Sequence, residues 1–452
     1  MPYAIDLFCG AGGCSEGLIQ AGFDIIFSSD ISKMVMETYC HRHTQLGLIQ
    51  GYNTWFELAD IRHLTGEDIW RRIRALNWFT NGERPVPNDI DLVIGGPSCQ
   101  GFSRAGRRDQ NDPRNMLFGE YVRVINEVRP RYVVLENVEG FMDMQFIGYR
   151  GLDLYNENGQ LVEMGPTYPD GSVTPTLLTA ELNRIGYHTL EPKILNAADF
   201  GVPQRRNRVI FIAYRDGQAA PEYPDPTTGN APLTLRDAIG DLIVDPAIRQ
   251  RVNPRRRQYQ IDSANGRTPN VNGETIPGPR NRTNTELPNV SDIVAERFSL
   301  FQQGESGTNL KKRISTFGID LTGKANLIAL CASELGWTTR QVVNHFRRPG
   351  ATKEELDILL TKKNIRQRWS ENQPSATVVS IPDDYISPWE DRTFSVREMA
   401  RCQSFDDSFE FLGKRTTGGI LRRTEVPQYT QVGNAVPPLL ARAVVEKIME
   451  VL

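Results

Sequence analysis

Cys99 follows Gly95-Gly96-Pro97-Ser98 at the end of an apolar run, Asp91-Leu92-Val93-Ile94, and precedes a polar stretch carrying Arg104, Arg107, Arg108 and Arg114. A structural cysteine sits among apolar neighbours and is inert. One on an exposed loop beside guanidinium groups is drawn toward the thiolate, the form that acts as a nucleophile. A second run, Tyr132-Val133-Val134-Leu135, ends in Glu136-Asn137. A lone glutamate there would face solvent, but placed beside Cys99 by a parallel sheet it is a candidate general acid. Gln204-Arg205-Arg206-Asn207-Arg208 then gathers three guanidinium groups just before a third run. They read either as a solvated turn or as a fork of donors aimed at a ring carbonyl or phosphate.

A second set of residues suits a nucleotide-like ligand. Asp6-Leu7-Phe8 runs into Cys9-Gly10-Ala11-Gly12-Gly13-Cys14-Ser15, a strand, a Gly-rich turn and a helix start. Glycines let the backbone fold tightly and approach a ligand. Gly10 and Gly12 fit a dinucleotide fingerprint, but Ser15 stands where its third glycine belongs, and no GKS or GKT follows. Alone, this loop reads equally well as a plain turn. Asp30, ending the next run, could accept from two ribose hydroxyls, with Ile31 against an adenine face. Asp60, before Ile61, could accept from an adenine amino group. Each acid alone is more commonly a helix cap; the loop and the two acids in chain order favour an adenosine-containing cofactor.

The elements that must position these residues alternate. Buried strands are expected at 4–8, 24–28, 92–94, 132–135 and 209–213, with helices at Ser15–Ala21, Lys33–His41 and Met116–Glu127. That alternation implies a parallel sheet covered on both faces, with ligands at the carboxyl ends of its strands. From about Pro221 the pattern dissolves into Pro-, Asn- and Arg-rich sequence, loop-like from Asn265 to Asn289. Helical signal returns at Ser291–Phe301, Asn326–Leu335 and Lys353–Leu360, then at Val396–Phe405 and Pro438–Leu452.

Length, 452 residues, suits one large domain or two ordinary ones. The net charge of −3 argues against a polybasic binder, yet residues 246–370 hold 21 Lys/Arg against 11 Asp/Glu, a local surplus of +10. Such a segment suggests a surface for a polyanion. Six cysteines without a CxxC, and five histidines without a ligand pattern, predict neither a disulfide scaffold nor a structural metal. The start lacks the features of a signal peptide and no run reaches the length of a membrane span, so a cytoplasmic protein is expected.

In chain order, DLFCGAGG (6–13), GGPSCQGFS (95–103), ENV (136–138), QRRNR (204–208), PSATV (374–378), REMARCQSF (397–405) and YTQVGNAVPP (429–438) resemble the motifs of the bacterial C5-cytosine DNA methyltransferases, which use S-adenosylmethionine. The resemblance implies an α/β fold, a Rossmann-like methyltransferase sheet with an inserted target-recognition domain. Residues 1–220 would begin the catalytic domain, 221–385 would form the insertion and 386–452 would return to the catalytic domain. It implies that Phe8, Ala11, Gly12, Asp30, Ile31, Asp60 and Ile61 bind the cofactor, whose product is S-adenosylhomocysteine, and that Asn434 and Val436 close its pocket. Cys99 would be the nucleophile, Glu136 the acid at N3 and Arg206 the donor to O2, with Gln204, Arg208 and Asn137 bracing the site. One departure stands out: the family usually has proline immediately before the cysteine, where this chain has Ser98 after Pro97.

That chemistry makes sense of the residue types. Thiolate addition at C6, with a proton shared at N3, turns C5 into an enamine carbon able to attack a methyl sulfonium. The target base would first have to leave the duplex, while the basic segment would hold phosphates. The implied partner is duplex DNA, bound by a monomer, with a restriction or other defence system as a further partner. A tRNA methyltransferase of the same fold, or a non-catalytic DNA-binding relative, are the alternatives; the latter would have lost Cys99, Glu136 or Arg206. A zinc deaminase fails because residue 102, where its second cysteine belongs, is Phe102. Ser15 disfavours an NAD-dependent oxidoreductase.

Overall fold

A computed structural model describes residues 1–97, 116–155, 159–229, 231–380, 382–419, 421 and 424–452. Cys99 and the arginines at 104–114 lie outside the described residues.

Five parallel strands form the centre of the sheet: β1 (Tyr3–Leu7), β2 (Asp24–Asp30), β3 (Trp55–Leu58), β4 (Leu92–Gly95) and β5 (Tyr132–Asn137). Three more extend it, β6 (Tyr187–Thr189), β7 (Lys193–Asn196) and β8 (Asn207–Arg215). The order is β6-β8-β5-β4-β1-β2-β3, with β6 and β7 sharing the outer edge of β8. β8 runs antiparallel to β5, which corrects the expectation that the run at 209–213 joins a parallel sheet. The cause is its connection: β6 and β7 pair directly with β8 and return the chain as hairpins, whereas a parallel neighbour would need a crossover helix.

The helices of the sheet are α1 (Gly13–Gln20), α2 (Lys33–Gln45), α3 (Gly66–Arg74), α4 (Leu117–Val128) and α5 (Thr174–Arg184). Side chains alternate along the strands, as a two-faced sheet requires. Ile5, Val93, Val133 and Leu135 face α3, α4 and α5. Ala4, Leu92, Ile94, Tyr132 and Val134 face α1 and a much later helix.

The central segment divides. Five helices, α6 (Asp292–Phe298), α7 (Gly307–Phe317), α8 (Ala325–Leu335), α9 (Thr339–Phe346) and α10 (Lys353–Leu360), enclose a core of their own. Leu235, Ala238, Ile239 and Tyr259, also inside 221–385, instead share a core with Trp369, Val378 and the later chain. The independent core is therefore smaller than the insertion read from sequence. α7 and α9 were not among the helices expected there.

The chain returns through α11 (Val396–Cys402), α12 (Gln428–Asn434) and α13 (Pro438–Met449). α13 lies on α1 at very close range. A Cβ added at Gly13 would stand 2.0 Å from the Val436 carbonyl oxygen, and one at Gly17 would stand 2.6 Å from the Ala441 Cβ. Only glycine at both positions, one helical turn apart, admits this approach. Among the described residues no helix is long and apolar enough to cross a membrane.

Candidate active site

The carboxyl ends of β1, β2, β4 and β5 open into a cavity of about 480 Å³. Phe8, Ala11, Asp30, Ile31, Asp60, Ile61, Glu136, Arg206, Arg208, Asn434 and Val436 all line it. The sheet thus gathers side chains from positions 8 to 436 into one space. Gly12, Asn137 and Gln204, expected with them, stand behind the lining.

At one end the Gly-rich loop turns sharply. Phe8 adopts a left-handed φ of 56°, unusual for a bulky residue and a form of strain found at functional sites. Gly12, at φ 102°, lies against Tyr39 and shapes the turn rather than the cavity wall. Asp30 fastens this loop to β2: its carboxylate accepts from the Gly10 N–H at 3.1 Å and from the Ser32 N–H at 2.8 Å. Burial raises its pKa above the ordinary value, and those N–H groups oppose the rise. Ile31, 67% exposed, offers an uncovered aliphatic face on the rim. Asp60 caps the turn Ile61–His63 and pairs with Arg62 at 2.5 Å, which holds its carboxyl below the usual range.

Under the loop lies a buried chain of hydroxyls. Ser15 donates to Asp6 at 2.6 Å, and Tyr39 bridges Ser15 and Ser28 at 2.7 and 2.5 Å. Burial pushes the Asp6 carboxyl up to about 7. Cys9 and Cys14 also line the cavity, but burial raises both thiols well above their ordinary value and keeps them protonated. Burial of this kind disfavours the thiolate, the nucleophilic form.

At the other end, Glu136 and Arg208 meet, Arg208 Nε standing 2.5 Å from Glu136 Oε1. Gly96 lies beside them: a Cβ there would be 3.1 Å from Glu136 Oε2. Asn137 Nδ2 donates to the Pro97 carbonyl at 3.0 Å and so fixes the backbone two residues before Cys99. The proline expected next to the cysteine is thus replaced by an anchor one residue earlier.

Arg206 is used differently from its neighbour. Nearly fully buried, it donates through Nη1 to the Val378 carbonyl at 3.1 Å and through Nη2 to the Gly433 carbonyl at 2.8 Å. Gln204 does similar work, donating to Gln403 Oε1 at 2.8 Å and accepting from the Val378 N–H at 2.7 Å. These bonds hold the later chain over the cavity. The sequence reading missed Gly433, Gln431, Val426 and Leu117 in the lining, because nothing local in those residues signals a ligand.

A family model described as C-5 cytosine-specific DNA methylase matches residues 3–149 and 169–450. Type II methyltransferase M.XorII of Xanthomonas oryzae is 30% identical over 468 residues, spanning 100% of this chain and 85% of that protein. Type II methyltransferase M.DdeI of Desulfomicrobium norvegicum is 28% identical over 449 residues, spanning 98% of this chain and 88% of that protein. A crystal structure described as a DNA modification methyltransferase encoded within an E. coli prophage shares the fold, with a TM-score of 0.60 at 22% identity over 100% of this chain and 99% of that one.

Proposed function

Because the chain belongs to the C-5 cytosine-specific DNA methylase family, we propose that it moves a methyl group from S-adenosylmethionine to C5 of a cytosine flipped out of a specific duplex DNA sequence, through a cysteine adduct at C6. The observation that carries this reading is the Glu136–Arg208 pair beside Gly96–Pro97 at one end of a single cavity, with Asp30 and Ile31 at the other.

The cavity suits the cofactor. Its volume falls within the range of small-molecule sites, and its loop end combines a carboxylate, an exposed aliphatic face and close backbone approach. When bound, S-adenosylmethionine supplies an electrophilic methyl group. Asp30 would hold the ribose, Ile31 and Ile61 the flat base, and Asn434 with Val436 the side nearest α13. Asp60, whose two oxygens both accept from Arg62, would accept from the adenine amino group by giving up part of that pairing.

At the opposite end Cys99 would add to C6 while Glu136 shares a proton at N3; after C5 takes the methyl group, loss of the C5 proton and elimination of the Cys99 thiolate from C6 would release 5-methylcytosine. The O2 role expected of Arg206 passes in this proposal to Arg208. Arg208 sits on the Glu136 carboxylate, whereas Arg206 donates to two backbone carbonyls and acts as a positioning residue for the later chain. A preorganised guanidinium at a developing oxyanion stabilises the transition state. The relatives' designation as Type II methyltransferases supports work alongside a restriction or other defence activity.

The test is transfer of labelled methyl groups to duplex DNA and, in parallel, to tRNA. Incorporation at cytosine C5 of DNA, lost in Cys99→Ala, is the expected result. Incorporation into tRNA alone would move the substrate to RNA, and full activity of Cys99→Ala would remove the covalent mechanism.

A further inference from the structure

Within the small core, α8 and α9 are joined by only three residues, Gly336-Trp337-Thr338. Gly336 takes the left-handed conformation, φ 67° and ψ 30°, and ends α8, with the Trp337 N–H returning to the Ala332 carbonyl at 3.0 Å. Thr338 starts α9 through a reciprocal capping box with Gln341. The turn is thus fixed on both sides. Leu327 and Cys331 of α8 and Val342 and Phe346 of α9 are fully buried in one core with Leu310, Ile314 and Leu359. Two short helices joined by a three-residue, glycine-containing turn, each buried on one face, have the connection that a helix-turn-helix uses.

The outer face of α9 has a different character. Arg340, Gln341 and Asn344 are exposed, and Arg347 and Arg348 continue the same side beyond its end. At 100° per residue these five positions occupy about a third of the helix circumference, opposite Val342 and Phe346. Arginine, glutamine and asparagine are the side chains whose paired donors and acceptors match guanine and adenine edges in the major groove. α9 itself contains no acidic residue. The acids around it come from neighbouring elements: Asp320 pairs with Arg347 at 3.2 Å and Glu355 with His345 at 3.0 Å, while Glu334 is exposed on α8.

This platform is tied to the catalytic opening. Arg368 donates to the carbonyls of Phe298 and Ser387, fixing the small core to the strap 369–377. Along that strap Gln373 accepts from Arg205 and Ser375 accepts from the Arg205 N–H at 2.9 Å. The strap ends at Val378, whose carbonyl receives Arg206.

We propose that α9 is a recognition helix that enters the major groove of duplex DNA and reads base edges through Arg340 and Asn344, with Gln341, Arg347 and Arg348 around them. The proposal rests on the DNA reading of the function and names the helix that gives that reading its sequence preference. The occupant is duplex DNA because the exposed face is cationic and carries base-matching amides, while its apolar side is already used in the core.

The test compares the full-length wild type with Arg340→Lys, which keeps charge but loses the guanidinium fork, with Asn344→Ala, and with Lys447→Ala on α13 as a charge control. Duplexes bound from a random library are sequenced, and methylated positions are mapped by bisulfite sequencing. Binding is then measured on the selected duplex and on the same duplex with 7-deazapurines, which lack the major-groove N7 acceptor. The expected result is a motif that loses information at one or two positions in the α9 variants but not in the control. On the selected duplex a loss of roughly 10- to 100-fold is expected, with 7-deazapurine substitution no longer adding to the loss in Arg340→Lys. An unchanged motif in both α9 variants overturns the proposal, as does an equal loss on every sequence, which would mark a phosphate contact. Absent methylation with an α9-dependent motif would overturn the enzymatic reading and leave the recognition helix standing. Methylation at an unaltered motif in the variants would do the reverse.

Discussion

Glu136 and Arg208 are diagonal neighbours across the antiparallel pair β5–β8. The register partner of Glu136 is Ile210, and Arg208, two residues earlier on the same face, reaches back to place its Nε 2.5 Å from the carboxylate. Diagonal neighbours in a sheet stand within reach of long side chains. The reversal of β8 is therefore what sets a cation on this acid.

Arg208→Ala should lower kcat by roughly 100-fold or more, the scale of losing one preorganised oxyanion donor. Cofactor affinity should change only a few-fold, since Arg208 lies at the far end of the cavity from Asp30. Steady-state kinetics and calorimetric titration of S-adenosylmethionine would show this split. A pure KM effect would argue against a role at the reacting ring.

Arg206→Met should act on stability. It strips the Val378 and Gly433 carbonyls of buried charge-assisted bonds, at a cost of about 2–4 kcal/mol. Urea denaturation measures it. A midpoint equal to that of wild type would mean that the later chain is held in place without this arginine.

Gly13→Ala places a methyl group inside contact distance of the Val436 carbonyl and should cost about 1–3 kcal/mol by forcing α1 away from the backbone that leads into α13. Since Asn434 and Val436 line the cavity, cofactor affinity should fall with stability. Thermal shift with and without S-adenosylmethionine separates the two effects. Unaltered ligand-induced stabilisation would uncouple the helix contact from the cavity.

Asp6 makes stability depend on pH. Its carboxyl is raised from 3.8 to about 7 by burial, so the folded state holds a proton that the unfolded chain releases. The stabilisation is fully present below pH 4 and is lost as pH rises through about 7. Asp6→Asn, which can still accept from Ser15, should show a smaller fall in unfolding free energy between pH 4 and 8 than wild type. Equal slopes for the two proteins would rule out this proton.

Much of the site is legible in the sequence because each strand is a short apolar run that delivers a site residue at its carboxyl end: Asp30 closing β2, Glu136 near the end of β5, Gly96 just past β4. The contrast between Arg206 and Arg208 is not legible. They stand two residues apart with the same chemistry, and the carbonyls that claim Arg206 come from positions 172 and 227 residues further along. β6 and β7 were missed because three- and four-residue strands with polar members leave no period to read. α9 was missed because a polar outer face and a length of two turns conceal its pairing with α8. The charge surplus of 246–370 does not show how its basic side chains are sorted by helix face.

The meeting of α1 with α13 also sets a schedule. A nascent chain folds from its beginning as it is made, and β1, the Gly-rich loop and Asp30 are complete within the first tenth of synthesis. Yet the wall that Asn434 and Val436 supply, and the helix that seats on Gly13 and Gly17, arrive more than 400 residues later. Until those residues have been made the cavity lacks that wall, so the chain can complete it only late in synthesis.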